Sequence, residues 1–419
     1  MVGAWTCAGS VRIAIVAALA ATSVPAAAQE TDPPPPDLTG SVIQDIVVTA
    51  SRRSTNIQRE SRDVTAIDAE ALTRKGVVDA TSLSTLVPGL EVAQLGPQVQ
   101  AFIRGVGDQT FTAANDPAVA LNVDDFYYPK TFALSGQFFD LERVEVLKGP
   151  QGTLYGRNAS AGVINLITAK PKFDSSGYIE LEYGNYDSKR LTAAITGPVS
   201  DTLAIRFAGQ RVDRDGYLSD GYNDDKSVAT RTQLLWRPGP DTSALLSASY
   251  VYNDARGDAA VLVPRISSNP WAGPTDPDTL AVIAAVSPGN ANQPKQDGYQ
   301  YIRTYTVTGR IEHDFPWATL TILPSLIHSR LRNLSYSVPV IPIYTDTASR
   351  QKSIEIRLSS REESRVKWVI GALASDERVQ DQVQSNQVTF ISATFRPKLT
   401  DKTWAVFGEM NARLNDVSA

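Results

Sequence analysis

Cysteine is nearly absent from these 419 residues, Cys7 being the one example. It precedes an apolar run near the amino terminus, a poor place for a lipid anchor, and the rest of the chain has no disulfide or thiolate chemistry to draw on. Histidine is almost as scarce. His313 and His328 are the two in the chain. Neither stands beside cysteines or carboxylates at ligand spacing, so no metal site is expected and each reads as a strand or turn residue. Net positive charge is lacking too: a formal charge of −5 and a pI near 5.3 argue against a nucleic-acid partner. No nucleophile–base pair or cofactor motif stands out, so an enzyme is not expected. After residue 24 no apolar run is long enough for a membrane helix. That leaves a transmembrane barrel open, because such barrels place lipid-facing residues at alternate positions of short strands.

What is present begins with a leader. Met1–Ala28 has the pattern of a secretory signal peptide. Arg12 supplies positive charge, Ile13–Val24 is an apolar core too short to span a bilayer, and Ala26-Ala27-Ala28 precedes a cut near Gln29. The tract Pro33-Pro34-Pro35-Pro36 then forms a stiff, solvated spacer.

The most informative stretch is Phe138–Lys170, reading FFDLERVEVLKGPQGTLYGRNASAGVINLITAK. Val144 and Val146 alternate with Arg143, Glu145 and Leu147, as in a strand. Lys148-Gly149-Pro150 breaks it, Gly152, Gly156 and Gly162 follow closely, and Val163–Thr168 is strand-like again. A nucleotide-binding reading fails, because no Gly-Lys-Ser/Thr follows Gly149 and Gly152. The stretch closely resembles the end of the plug domain of TonB-dependent outer-membrane receptors. Its length, not any one glycine, makes the resemblance specific.

That resemblance implies a mainly β chain: a small α+β plug domain around a mixed sheet, followed by an antiparallel transmembrane β-barrel. The implied layout is a signal peptide over 1–28, a periplasmic linker over 29–53, a plug over 54–172 and the amino-terminal part of a barrel over 173–419. Within the linker, Asp45, Ile46, Val47, Val48, Thr49 and Ala50 resemble the TonB box, the extended peptide gripped by TonB of the inner-membrane energy-transducing complex. A β-branched hexapeptide can add itself to a sheet edge on its partner, and its main-chain hydrogen bonds then transmit a pull. Plug charges of this family pair with the barrel wall, and Arg104, Arg143, Glu145 and Arg157 are the counterparts here, with ordinary solvated charges as the plain alternative. Loops 94–100, 107–117 and 127–136 are candidates to face the ligand. In the last, Tyr127, Tyr128 and Phe132 beside Lys130 suit stacking and an anionic ligand; an aromatic plug–barrel contact is the competing reading. Asp125 stands where most relatives have glycine.

The carboxyl-terminal half alternates at period two: Ile179, Leu181 and Tyr183 against Glu180 and Glu182, then Leu203, Ile205 and Phe207 against Ala204, Arg206 and Ala208. Further strands are expected near 228–237, 243–253, 301–312, 318–330, 351–359, 366–374 and 403–414. Long connections at 213–227, 253–298 and 333–350 are expected outside. Tyr183, Tyr186, Trp236, Tyr250, Tyr252, Trp317, Trp368 and Trp404 suit interfacial girdles. About ten strands are legible, against about 22 in plugged transporters, and the terminal aromatic of the family is missing. An incomplete barrel, as in a truncated or split receptor, is therefore expected. The implied function is TonB-energised uptake across the outer membrane, with a ferric siderophore as the first choice of cargo. Cobalamin, haem or a carbohydrate, or a non-transporting remnant serving as a binding module, are the alternatives. The implied surroundings are outer-membrane lipid and a small-molecule ligand.

Overall fold

The computed structural model describes residues 9–14, 47–49, 52, 55–108, 116–260, 269–286, 297–338, 341–387 and 391–412. The plug is built on a five-stranded sheet in the order Val64–Asp68, Leu141–Lys148, Gly162–Thr168, Val119–Val123, Phe126–Tyr127. Gly162–Thr168 runs parallel to Val119–Val123 and the other pairs are antiparallel, so the sheet is mixed. Asp68 ends the first strand and caps the helix Ala69–Arg74, its carboxylate accepting the Ala71 amide at 2.7 Å. A second sheet joins Leu90–Leu95, Gln98–Ile103 and Val106–Gly107.

Both faces of Leu141–Lys148 are buried. Val144 and Val146 enter the main plug core with Leu121, Leu166 and Ile103. Leu147, on the other face, packs with Val48, Leu154 and Val163. Glycine is required at Gly162, where a Cβ would lie 2.3 Å from the Leu147 carbonyl oxygen and 2.6 Å from Ile103 Cδ1. The glycine-rich segment also holds one helical turn, Gly152–Tyr155.

The second half is one antiparallel sheet. Ser176–Gly184, Ser188–Ser200, Leu203–Arg214, Asp225–Gly239, Thr242–Ala255, Tyr299–Asp314, Ala318–Val338, Ile341–Ser360 and Val366–Gln387 pair in sequence order. Lys398–Ala412 and Ile391–Phe395 both pair with Val366–Gln387. Gly9–Ala14, inside the expected leader, lies antiparallel on Ser176–Gly184 and takes up the backbone groups of that edge.

The strands outrun their sequence-based limits. The stretch 333–350, expected as a loop, is a tall hairpin paired from Ala318↔Ser360 to Val338↔Ile341. Its polar residues Asn333, Ser335, Thr347 and Ser349 are buried on the inner wall, so polarity there marks the lumen and not a loop.

Alternation sets the two sides of the wall. Leu181, Ile195, Phe207, Val307, Ile356 and Ile370 are exposed on the outside, while Glu180, Thr192, Arg206, Arg231, Gln233 and Arg357 are buried on the inside. Outer aromatics gather at two levels. Tyr250 and Tyr305 rings sit 5.0 Å apart at one, and Phe315, Trp317 and Trp368 stack in series at the other. Tyr305 and Phe315 are ten positions apart, the length of a tilted strand crossing a bilayer core, about 9–11 residues.

The connections at 201–202, 240–241, 315–317 and 361–365 are short and share the end near Trp317. Those at 215–224 and 256–298 are longer and share the opposite end. The plug sheet rests against the inner, polar wall.

Candidate functional site: the latch between linker, plug and barrel

Thr49 and Arg52 fix the end of the box-like segment. Val47–Val48 pairs with Thr55–Asn56, and Val48 is fully buried against the plug. The Glu145 carboxylate accepts the Thr49 amide at 3.0 Å and the Thr49 hydroxyl at 3.0 Å. The Tyr155 hydroxyl donates to the Thr49 carbonyl at 3.4 Å. Glu145 has no exposed surface; burial pushes its carboxyl up, and Arg143 at 2.8 Å together with the Thr49 amide offsets that only in part.

Three residues further on, Arg52 enters a buried ionic node. Its guanidinium lies 4.1 Å over the Tyr155 ring and donates to the carbonyls of Leu154 and Asp125, each at 3.2 Å. The centre of the node is the Asp125 carboxylate. Around it stand Arg310 at 2.7 Å and Arg357 at 3.6 Å from the barrel wall, and Arg52 at 3.8 Å from the linker. Glu355 adds a second carboxylate, 3.1 Å from Arg357 and 3.9 Å from Arg52. Burial alone would raise the Asp125 carboxyl, but Arg310, Arg357 and Arg52 together hold it well below the usual carboxylate range.

The local backbone explains the placement. Asp124 and Asp125 form the tight turn between Val119–Val123 and Phe126–Tyr127, with φ of 52° and 72°. That is left-handed space where glycine is at ease and aspartate is tolerated. Asn165 donates to the Asp125 carboxylate at 3.1 Å, and its own carbonyl oxygen accepts the Asp125 amide at 3.2 Å. Asp124 takes Lys170 and the Thr168 hydroxyl.

The barrel contributes more of the cations than the sequence suggested. Arg206 forks onto Asp140, and Arg231 donates to the Phe139 carbonyl and to Gln137, both at 3.2 Å. Of the four plug charges expected to reach the wall, Arg157 does so, to Glu377 at 2.7 Å and to Asp401. The other three are engaged inside the plug and linker: Arg104 with Asp63, Arg143 with Glu142 and Glu145, and Glu145 with Thr49.

The four ligand candidates are likewise occupied. Tyr128 is 2% exposed and donates to Thr306 of the wall at 3.2 Å; Phe132 is 1% exposed against Ile302 and Leu331. Lys130 pairs with Glu377 at 3.2 Å. The Tyr127 hydroxyl accepts from Asn158, and Arg157 lies 5.6 Å over its ring. Tyr128 and Phe132 attach plug to barrel, the competing reading of that cluster, while the Tyr127 side chain stays among plug residues. Of the other loops, Gly96 abuts Asp258 of the 256–298 connection, and residues 109–115 lie outside the described set. Of the box, Asp45, Ile46 and Ala50 also lie outside it.

The residues that sequence reasoning missed are Arg52, Asp140, Arg206, Arg231, Arg310 and Arg357. For the wall arginines the signal was there: each occupies an inward position of a period-two strand among small or polar neighbours. For Asp125 it was the departure from glycine in a tight turn.

A plug sheet packed against the polar inner wall of a large antiparallel sheet defines the class, and the chain belongs to the TonB-dependent receptors of the outer membrane. The TonB-dependent Receptor Plug Domain family matches residues 56–163. The chain is 32% identical over 192 residues to the pesticin receptor of Yersinia pestis, a match covering 45% of this chain and 28% of that protein. Over 227 residues it is 29% identical to the iron-regulated outer membrane virulence protein of Vibrio cholerae, covering 50% of this chain and 34% of the relative. Among solved structures, the ferric yersiniabactin uptake receptor FyuA from Yersinia pestis superposes with a TM-score of 0.72 at 21% identity, covering 83% of this chain and 54% of that one. The ferripyoverdine receptor of Pseudomonas aeruginosa superposes with a TM-score of 0.65 at 17% identity, covering 88% and 52%. The chain thus spans about half the length of these solved receptors and matches about a third or less of the curated relatives. The two structural likenesses bear on fold alone.

Proposed function

We propose that the chain acts in TonB-energised uptake of a ferric siderophore across the outer membrane, with Asp45–Ala50 as the TonB box, residues 54–172 as plug and 173–419 as barrel wall. The observation that carries this reading is the latch. The box itself is held at Thr49 by a plug carboxylate, and the chain just after it is held at Arg52 by a node shared between plug and barrel. A pull delivered to the box therefore loads Leu141–Lys148 and the Asp124-Asp125 turn directly. Ion pairs and hydrogen bonds can be broken and remade without unfolding either domain, which suits a stopper that must shift and return. The chemistry is transport and binding, with no bond made or broken in the cargo.

The choice of cargo is supported by the curated relatives, among them one named as an iron-regulated outer membrane virulence protein. The ligand face in this reading is the plug apex at 94–100 under the 256–298 connection. Uptake of labelled ferric siderophores, cobalamin, haem and an oligosaccharide by cells with this chain as sole receptor tests it. Accumulation of a ferric siderophore alone is expected; accumulation of another cargo overturns the iron assignment. Surface binding without accumulation supports a non-transporting binding module instead.

A further inference from the structure

We propose that the cavity on the outer face of the wall, between the 215–224 and 256–298 connections, is a binding site for a neutral saccharide. This rests on the loop-side placement of those connections and not on the transport reading, because the cavity lies on the opposite side of the wall from the plug. Its volume is about 920 Å³, within the span of small-molecule sites, about 300–1,000 Å³. The wall strands supply its floor. Arg211, Tyr252, Tyr299 and Tyr301 line it, whereas their strand neighbours Val212, Asn253, Gln300 and Ile302 are buried on the lumen side. Tyr252 is two positions beyond Tyr250, and Tyr301 four beyond Tyr305, towards the loop ends. At a strand rise of about 3.3 Å the floor therefore starts about 7 to 13 Å outside that aromatic level, in the aqueous zone.

The roof is held in place. Tyr222 of the 215–224 connection is fully buried and packs edge-on against Tyr336, with ring centroids 6.0 Å apart. Its hydroxyl accepts the Gly298 amide at 2.6 Å. Arg256 donates to the Asp220 carbonyl and pairs with Asp297 at 3.7 Å. The Asp224 carboxylate accepts the Arg256 and Gly257 amides at 2.8 and 3.3 Å. Glycine is needed at Gly216, where the connection doubles back: a Cβ there would lie 2.3 Å from the carbonyl oxygens of Gly221 and Tyr222.

The lining selects the ligand. Three cations and four carboxylates line the cavity, so it has no positive surplus for an anion. Among the described residues the carboxylates do not gather into a metal-binding group. Donors and acceptors are interleaved instead. Asp213 lies opposite Lys226 in register and 3.9 Å from Arg211, and Asp254 lies opposite Tyr301. Carboxylates only accept, and ammonium and guanidinium groups only donate, whereas a hydroxyl does both. A row of sugar hydroxyls therefore satisfies both kinds of group at once. The tyrosines supply the apolar half. Tyr299 and Tyr301 stack with centroids 5.2 Å apart and planes inclined by 27°, and Tyr301 is 36% exposed. The negative face of such a ring attracts the slightly positive C–H groups on the face of a pyranose.

The test uses the full chain in a detergent without a sugar headgroup, with maltotriose and chitotriose as probes, read by saturation-transfer NMR and native mass spectrometry. Saturable binding of at least one trisaccharide is expected, with transfer strongest to its ring C–H protons and little change at high salt. Tyr299→Ala/Tyr301→Ala is expected to weaken binding about tenfold, and Asp254→Ala about tenfold. Tyr183→Ala, exposed on the outer wall away from the cavity, should bind as before. If the double variant loses its heat-modifiable gel mobility, Asp254→Ala carries the test. Free sugar and cell-surface glycan share this chemistry. A glycan that co-purifies with the chain and is displaced by the probe marks the surface source, and an empty chain that takes up the probe marks the soluble one; both support the site. Binding of neither trisaccharide, or undiminished binding in the folded variants, overturns the proposal. So does displacement of the probe by triglycine or inorganic phosphate at equal concentration, which marks a peptide or anion site.

Discussion

Asp125 bears the largest electrostatic load of any single side chain in the latch. Its carboxylate is 2% exposed and faces three guanidiniums. Removing one member of a buried ionic group leaves uncompensated charge, typically about 3–5 kcal/mol. Asp125→Asn is therefore expected to destabilise the seated plug by an amount of that order, read as a lowered unfolding midpoint. A change below about 1 kcal/mol contradicts the node described here. Asp258 gives a pH-dependent counterpart on the loop side. Its carboxyl is pushed up to about 6 by burial against the plug apex at Gly96. A raised value means the folded state favours the protonated form. Its contribution is full below the ordinary carboxylate value of 3.8 and is lost as pH rises through about 6. The protection of the amides over 257–260, taken relative to their intrinsic exchange rates, should therefore fall between pH 4 and 7 in the native chain. Asp258→Asn should flatten the profile; an unchanged profile contradicts the assignment.

At the level of elements, Leu141–Lys148 is the hub, since it holds the plug core on one face and the linker on the other. Glu145→Ala removes the acceptor of the Thr49 amide and hydroxyl, hydrogen bonds to a charged group of about 1.5–3 kcal/mol each. Amide exchange at Val48 and Thr49 should accelerate by at least tenfold while Val144 and Val146 stay protected; equal acceleration at all four means that the plug, and not the latch, has opened. Gly162→Ala should destabilise the plug by about 1–3 kcal/mol through the clash with the Leu147 carbonyl. The arrangement of these elements was legible in the sequence where each signal was local: the break at Lys148-Gly149-Pro150 and the alternation of 179–183 and 203–208. The tall hairpin was not, because serine, asparagine and threonine on a lumen face look like a loop when the lumen's occupant is unseen. The latch was not legible either. Arg52, Asp125, Arg310 and Arg357 are brought together by three separate segments, and no spacing in the chain announces that. Tyr128, Lys130 and Phe132 misled for the same reason, since aromatics beside a cation suit a ligand and a wall equally well.

On the scale of the whole molecule, the design is a polar inner wall whose arginines Arg206, Arg231, Arg310 and Arg357 hold a plug through its carboxylates and carbonyls. The linker is tied into the same contacts at Thr49 and Arg52, so in the proposed reading a pull on the linker reaches plug and wall in series. The outer wall faces lipid between two aromatic levels. The most direct test of that series is to delete Asp45–Ala50 in cells with this chain as sole receptor and follow a labelled ferric siderophore. Surface binding should persist and energised accumulation should vanish; accumulation at the undeleted rate would show that force does not enter through this segment.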